Sequence, residues 1–189
     1  AGELMNSGGI TIRLVRFSQA IIGHIRGGLS LVAVMVNMIM AGVSGSAVAD
    51  ASATGTILIP AMKKDGYDVD YAAALIAAAS TIGPIIPPSI PMIVFAVISN
   101  ASVGRLFLSG AIPGVLMGLA LMGLCYYYAR KYNSPKLRRP TMKEFLRTVQ
   151  DAILAVIMPL VIVGGIVFGI ATVTEIAGIA AAYAIVVGG

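Results

Sequence analysis

Apolar residues fall along this chain in long blocks, not in alternation, and the interruptions between blocks are short and chemically distinctive. Residues 29–41 form one block, which the small and hydroxyl residues of "GVSGS" (42–46) break. A second block, 47–62, runs into the polar stretch "KKDGYDVD" at 63–70. The first block would make about 20 Å of helix, too little to cross a ~30 Å hydrocarbon core alone. Two such arms meeting at a polar tip predict a re-entrant hairpin over 29–62. Residues 71–82 read as an alanine-rich half helix that "GPIIPPS" (83–89) cannot continue, because Pro84, Pro87 and Pro88 remove backbone donors. The helix resumes over 90–99, so 71–99 predicts a discontinuous helix. Residues 106–129 would span about 36 Å, enough to cross a bilayer with tilt, and end at Tyr126, Tyr127 and Tyr128, which suit an interfacial belt. Residues 152–171 are a further apolar stretch carrying Pro159 and Gly164-Gly165.

Composition agrees with this pattern: 58% of residues are hydrophobic and 11% charged, and the mean hydropathy is +0.95. An integral, multi-pass membrane protein is expected. The net charge of +5 would fit nucleic acid if it were spread among aromatic residues on a platform. Instead Arg130, Lys131, Lys136, Arg138, Arg139, Lys143 and Arg147 share one connection, 130–151. That is the positive-inside pattern, so this connection is expected in the cytoplasm and nucleic acid is not expected as a partner. Residues 1–28, with Arg13, Arg16, His24 and Arg26, read as an amphipathic scaffold helix lying along the lipid interface. Cys125 sits alone in an apolar helix and is expected to pack, not to ligate. The chain starts at Ala1 and ends in an unfinished apolar run at Gly189, so it is expected to be a piece of a longer polypeptide.

Irregular backbone at membrane depth costs several kcal/mol for each unsatisfied group, and it persists only when buried in protein or lining a cavity. Secondary transporters use such breaks as sites, with unwound carbonyls around a cation and half-helix N-termini facing an anion. The alternative is a pair of kinks that only shape packing. A faint internal echo bears on this choice. Gly42, Ser44 and Ser46 are matched imperfectly by Gly169, Thr172 and Thr174, each set followed by a carboxylate, Asp50 or Glu175. Corresponding interruptions in two halves point to transporter repeats.

The segments "AGVSGSAVADASATGTILIPAMKKDGY" (41–67), "STIGPIIPPSIP" (80–91) and "GIATVTEIAGIAAAYA" (169–184) resemble the large membrane subunit of tripartite ATP-independent periplasmic (TRAP) transporters. The resemblance extends over essentially the whole chain. It implies an all-α polytopic membrane protein of the bacterial inner membrane, with inverted repeats, re-entrant hairpins, discontinuous helices and an elevator-type transport domain. It also implies sodium-driven symport of an organic acid, namely a dicarboxylate, sialic acid or other sugar acid. The implied partners are a small membrane subunit and a soluble periplasmic binding protein. On this basis the chain would hold most of the first repeat and, in 152–189, the opening of the second with a truncated second hairpin. Val173 departs from the family's pattern, which has proline there.

The residue roles follow from the two breaks and that resemblance together. Sodium is a hard cation that takes oxygen ligands, and the carbonyls of Ser44, Ser46, Gly83, Ile86 and Pro88 are the candidates. The hydroxyls of Ser44, Ser46 and Ser89 are candidates for a substrate carboxylate, assisted by half-helix N-termini; bonds to neighbouring helical carbonyls are the competing use of each. Gly45 lies at the first break and Asn37 is expected to brace the hairpin. Asp50 and Glu175 are expected to cap freed amides, with an ion-carrying role for an intramembrane acid as the alternative.

Two other classes remain. "GVSG" (42–45) fits the short serine motif of rhomboid-like intramembrane proteases, with Ser44 as nucleophile, but such a serine needs a histidine. The single histidine, His24, precedes it in the basic amphipathic segment. An ion channel can also be lined with broken backbone, although paired hairpin-and-break units suit alternating access better than a fixed pore. The sequence has no phosphate-cradling glycine loop, nucleotide motif or Cys/His metal cluster, and an enzyme is not expected.

Overall fold

The computed structural model describes residues 9–132, 136–170 and 172–188. Ala1 and Gly189, the front of the amphipathic segment, and part of the basic connection with Pro135 lie outside the described residues, as does the side chain of Val173. All regular structure among the described residues is helical: α1 (Ile10–Ile22), α2 (Gly28–Ser44), α3 (Ala47–Lys64), α4 (Val69–Ser80), α5 (Ile90–Ser99), α6 (Val103–Lys131), α7 (Met142–Val167) and α8 (Val173–Gly188).

Helix α2 is the centre of the packing and touches α1, α3, α4, α6 and α7. Its sequence explains why: it is apolar around its whole circumference, and a helix of that kind is stable only when enclosed. Val32, Ala33, Val34 and Val36 are fully buried. Against it pack Leu14 of α1, Leu58 and Met62 of α3, and Ala72 and Ala79 of α4, all without solvent exposure.

Each helix starts and stops where its local chemistry requires. Gly45 ends α2 in the left-handed region (φ 62°) while its amide bonds to Ala41 O, and Ser46 then caps α3. The first break is thus two residues, Gly45 and Ser46, with α2 continuing past Gly42 and Val43 to Ser44. The reason is that a single left-handed glycine suffices to turn the chain. Asp68 caps α4 through the amides of Asp70 and Tyr71. The second break begins at Thr81, two residues before the glycine, and lasts until Ser89 caps α5. In the basic connection, Thr141 and Glu144 form a capping box that starts α7 at Met142, so residues 142–151 are helical and continuous with the apolar stretch.

Helix α6 is long and apolar enough to cross a membrane by itself, whereas α2, α4 and α5 are apolar but short. Its outer face leaves Leu108, Ile112, Leu116 and Leu119 exposed, a band that suits lipid. Its inner face carries Gly110, Gly114 and Gly118, four residues apart. A β-carbon on Gly110 would lie 2.6 Å from Ile85 O, and one on Gly114 2.5 Å from Ile86 Cγ1. Small residues that allow this approach are how helices associate where lipid removes the hydrophobic drive. The glycine row therefore seats the second break directly on the spanning helix.

Candidate functional site

The two breaks meet. A β-carbon on Gly45 would lie 2.5 Å from Pro88 O and 3.2 Å from Ile90 N, so the turn after α2 rests on the turn before α5. Gly83 approaches the start of α3 as closely: its β-carbon would be 2.6 Å from Asp50 Oδ2 and 3.4 Å from Ala47 N. Glycine allows both approaches, at Gly45 against backbone and at Gly83 against the Asp50 carboxylate, and this mutual contact forms one cluster from segments some forty residues apart in the chain.

At the centre of the cluster is Asp50, which has no solvent exposure. Ser44 Oγ donates to Asp50 Oδ1 at 2.5 Å, and the same hydroxyl oxygen accepts from Ser46 N at 3.1 Å. Asp50 Oδ2 is buried without a hydrogen-bond partner. Among the described residues no basic side chain pairs with Asp50; the ion pair they show is Arg138–Glu144 at 3.7 Å. A buried carboxylate with one oxygen unmet is costly unless a cation or a proton joins it.

The amide-capping role expected of Asp50 belongs to Ser46 instead, whose Oγ accepts from Ala49 N at 3.5 Å. The reason is position. Ser46 is the residue before the first helical turn, where a side chain reaches the free amides, while Asp50 lies a full turn inside α3 and points at the other break.

Below the cluster, Asn37 and Thr54 join the two arms. Thr54 Oγ1 donates to Asp50 O at 2.7 Å and meets Asn37 Nδ2 at 3.3 Å, while Asn37 Nδ2 also donates to Ala33 O at 2.8 Å. Thr54 did not stand out in the sequence. The signal was available: it lies four residues after Asp50, hence one turn further along the same helix face.

The second break uses its donors internally. Ile85 N and Ile86 N both bond Ile82 O, and Ser89 Oγ donates to Pro84 O at 2.5 Å while accepting from Met92 N. Ser89 has no exposure, so its hydroxyl is committed to the turn. The carbonyls of Gly83, Ile86 and Pro88 are left unused by these donors.

The whole chain, residues 1–189, matches the family described as "Tripartite ATP-independent periplasmic transporter, DctM component". The chain belongs to this DctM family. Its relatives include the sialic acid TRAP transporter large permease protein SiaM of Vibrio cholerae, 41% identical over 99% of this chain and 44% of the relative. The 2,3-diketo-L-gulonate TRAP transporter large permease protein YiaN of Escherichia coli is 44% identical over the same shares. The C4-dicarboxylate TRAP transporter large permease protein DctM of Pseudomonas aeruginosa is 41% identical over 97% of this chain and 43% of the relative. The chain thus spans less than half the length of these curated relatives. They are named as permeases, which are transport proteins rather than enzymes.

In this DctM chain the second interruption resembles the first in outline only. Helix α7 ends at Val167, Gly169 is left-handed (φ 65°) and α8 begins at Val173. Glu175 Oε2 accepts from Thr172 N and Thr172 Oγ1, both at 2.7 Å, and Thr172 Oγ1 accepts from Glu175 N, which makes a capping box. Glu175 therefore does cap free amides. Thr172, Thr174 and Glu175 are all exposed, and those side-chain bonds of Thr172 and Glu175 run between these two residues. The structure brings Ser44, Ser46, Gly83, Pro88 and Asp50 together and leaves this second group apart from them.

Within this chain His24 and Ser44 are too far apart to act as a protease pair. His24 precedes the first residue of α2 and Ser44 is its last, so the 17-residue helix holds them about 25 Å apart.

Proposed function

We propose that this chain forms part of the ion and substrate path of a sodium-driven symporter that carries an organic acid across the bacterial inner membrane. The observation that supports the reading best is the buried Asp50 Oδ2, unpartnered and facing Gly83 at the contact between two backbone breaks. Every polar atom around it is oxygen or amide nitrogen. Such a donor set suits a hard cation like sodium. Ser44, Ser46, Gly83, Ile86 and Pro88 would supply hydroxyl and carbonyl oxygens, and Asp50 would add a negative charge, the ion-carrying role that the sequence offered as the alternative to capping.

Ser46 is the hydroxyl best placed for a substrate carboxylate. Its oxygen only accepts, from Ala49 N, so its proton is available. It also stands at the N-terminus of α3, beside the exposed Val48, where free amides and the helix dipole favour an anion. The relatives are named for sialic acid, a diketogulonate and C4-dicarboxylates, all acids, and a dicarboxylate, sialic acid or another sugar acid is the class proposed here. A small membrane subunit and a periplasmic binding protein would complete the assembly. The lipid-facing band of α6, the short apolar helices and the lipid around them fit a multi-pass protein built of inverted repeats that moves as an elevator.

Uptake by the full-length transporter in proteoliposomes, with its binding protein and with sodium or choline outside, tests this. Sodium-dependent uptake that falls in Ser44→Ala and Pro88→Ala while membrane insertion is unchanged is expected. Uptake equal in sodium and choline would overturn the coupling.

A further inference from the structure

Far from the two breaks, three separate parts of the chain border an open, strongly basic pocket. Its walls are the turn between α1 and α2, the C-terminal end of α6 and residues 136–139. A backbone hydrogen bond and a close approach hold these parts together: Leu137 N donates to Gly23 O at 3.0 Å, and Gly27 sits so close to the Ala129 side chain that a β-carbon there would not fit. The resulting cavity of about 510 Å³ is lined by His24, Arg26, Tyr126, Arg130, Lys136 and Arg139.

Four fixed positive charges face this space and no carboxylate lines it. The nearest acid in sequence, Glu144, pairs with Arg138 and lines the neighbouring pocket instead. Arg130 is held over the ring of Tyr126, 5.9 Å from its centroid, and His24 Nδ1 is buried without a hydrogen-bond partner. Like charges gathered around one cavity repel each other, and an anion with several acceptor oxygens offsets that repulsion through forked arginine bonds.

We propose that this pocket binds the phosphate headgroup of an anionic membrane lipid. Its position selects a lipid over a soluble phosphate. It opens at the end of the spanning helix, beside Tyr126, Tyr127 and Tyr128, where headgroups lie. The exposed Ile112, Leu116 and Leu119 fall on the same helical stripe as Tyr126, so acyl chains can follow α6 while the headgroup enters the pocket. Basic pockets between membrane helices at this depth recognise anionic headgroups. The lipid would tie the α1–α2 turn and the basic connection to α6 at their common end.

Native mass spectrometry of the full-length transporter in detergent, with added phosphatidylglycerol or phosphatidylcholine, tests the assignment. Phosphatidylglycerol should be retained in preference to phosphatidylcholine, and retention should fall about fivefold for each arginine removed in Arg139→Gln and in Arg26→Gln/Arg139→Gln. Lys63→Gln/Lys64→Gln, at the end of α3, should retain it as the parent does. Arg139 is exposed in a connection, so the single variant should unfold at the parent's temperature in lipid-free detergent. Equal retention of the two lipids, unchanged retention in Arg139→Gln and in the double variant, or binding of inorganic phosphate without lipid preference would overturn the proposal.

Discussion

Gly83 lies directly against the carboxylate of Asp50, so that a β-carbon at position 83 would be 2.6 Å from Oδ2. The oxygen it would strike is the one left unpartnered, and the same β-carbon would also crowd the backbone at Ser80 O, 3.1 Å away. Gly83→Ala must therefore displace Asp50 or part the two breaks. A loss of about 1–3 kcal/mol of stability is expected, as for other overpacked sites. Thermal unfolding in choline chloride reads that loss, and a variant as stable as the parent would show that the carboxylate is free to move.

Asp50→Asn separates charge from shape. The amide keeps an oxygen for Ser44 and fills the same space, but it removes the negative charge. In choline the variant should be at least as stable as the parent, because a buried unpaired charge has been deleted. In sodium the parent should gain about 2.7 kcal/mol at an ion concentration 100 times Kd, and the variant should gain almost none. An equal sodium-specific gain in both would remove Asp50 from the proposed ligands.

Thr54→Val addresses the brace below the cluster. The side chain keeps its shape while losing the bond to Asp50 O at 2.7 Å and leaving Asn37 Nδ2 without its 3.3 Å partner. A buried group so deprived costs about 1–3 kcal/mol. In a double-mutant cycle with Asn37→Leu the losses should fall short of additivity, with a coupling of about 0.5–3 kcal/mol. Strictly additive losses would mean that the two residues act independently.

The location of the breaks was legible in the sequence because proline and glycine act locally: Pro84, Pro87 and Pro88 stop a helix wherever they fall. Their extent was less so. Helix α2 runs on through Gly42 to Ser44 because Gly42 is placed to receive Pro159, to which its β-carbon would be 2.8 Å, and not to bend the chain. The contact of Gly83 with Asp50 was not legible, since it depends on how α3 and the second break pack. For the same reason Asp50 and Glu175, alike in sequence context, differ in role: one faces another segment and the other solvent. The capping box at Thr141 carried its signature in four residues, yet the surrounding basic residues made that stretch read as a connection.

Glu144 gives a pH test outside the membrane. Bonds from the amide and hydroxyl of Thr141 hold its carboxyl below the usual glutamate range, with Arg138 adding to the effect. A depressed folded value means the carboxylate favours the capped helix above the ordinary glutamate pKa. That contribution is lost as pH falls through the lower, folded value. A carbon-13 titration of Glu144 should therefore have its midpoint below that of Glu144 in the Thr141→Ala variant, and coincident midpoints would show that the box does not form in solution.

The last comparison sets two glycines of similar backbone geometry against each other. Gly45 has φ 62° and Gly169 has φ 65°, so alanine at either must adopt a left-handed conformation, at about 1–2 kcal/mol. At Gly169 nothing lies within 4 Å of the new β-carbon, whereas at Gly45 it meets Pro88 O at 2.5 Å. That oxygen belongs to the backbone, so no side chain can turn aside and the two breaks must separate. Gly45→Ala should lose clearly more stability than Gly169→Ala, and it should also lose the sodium-specific rise in unfolding temperature that Gly169→Ala retains. Equal losses in stability, with the sodium response intact in both, would mean that contact between the breaks is not what builds the ion site.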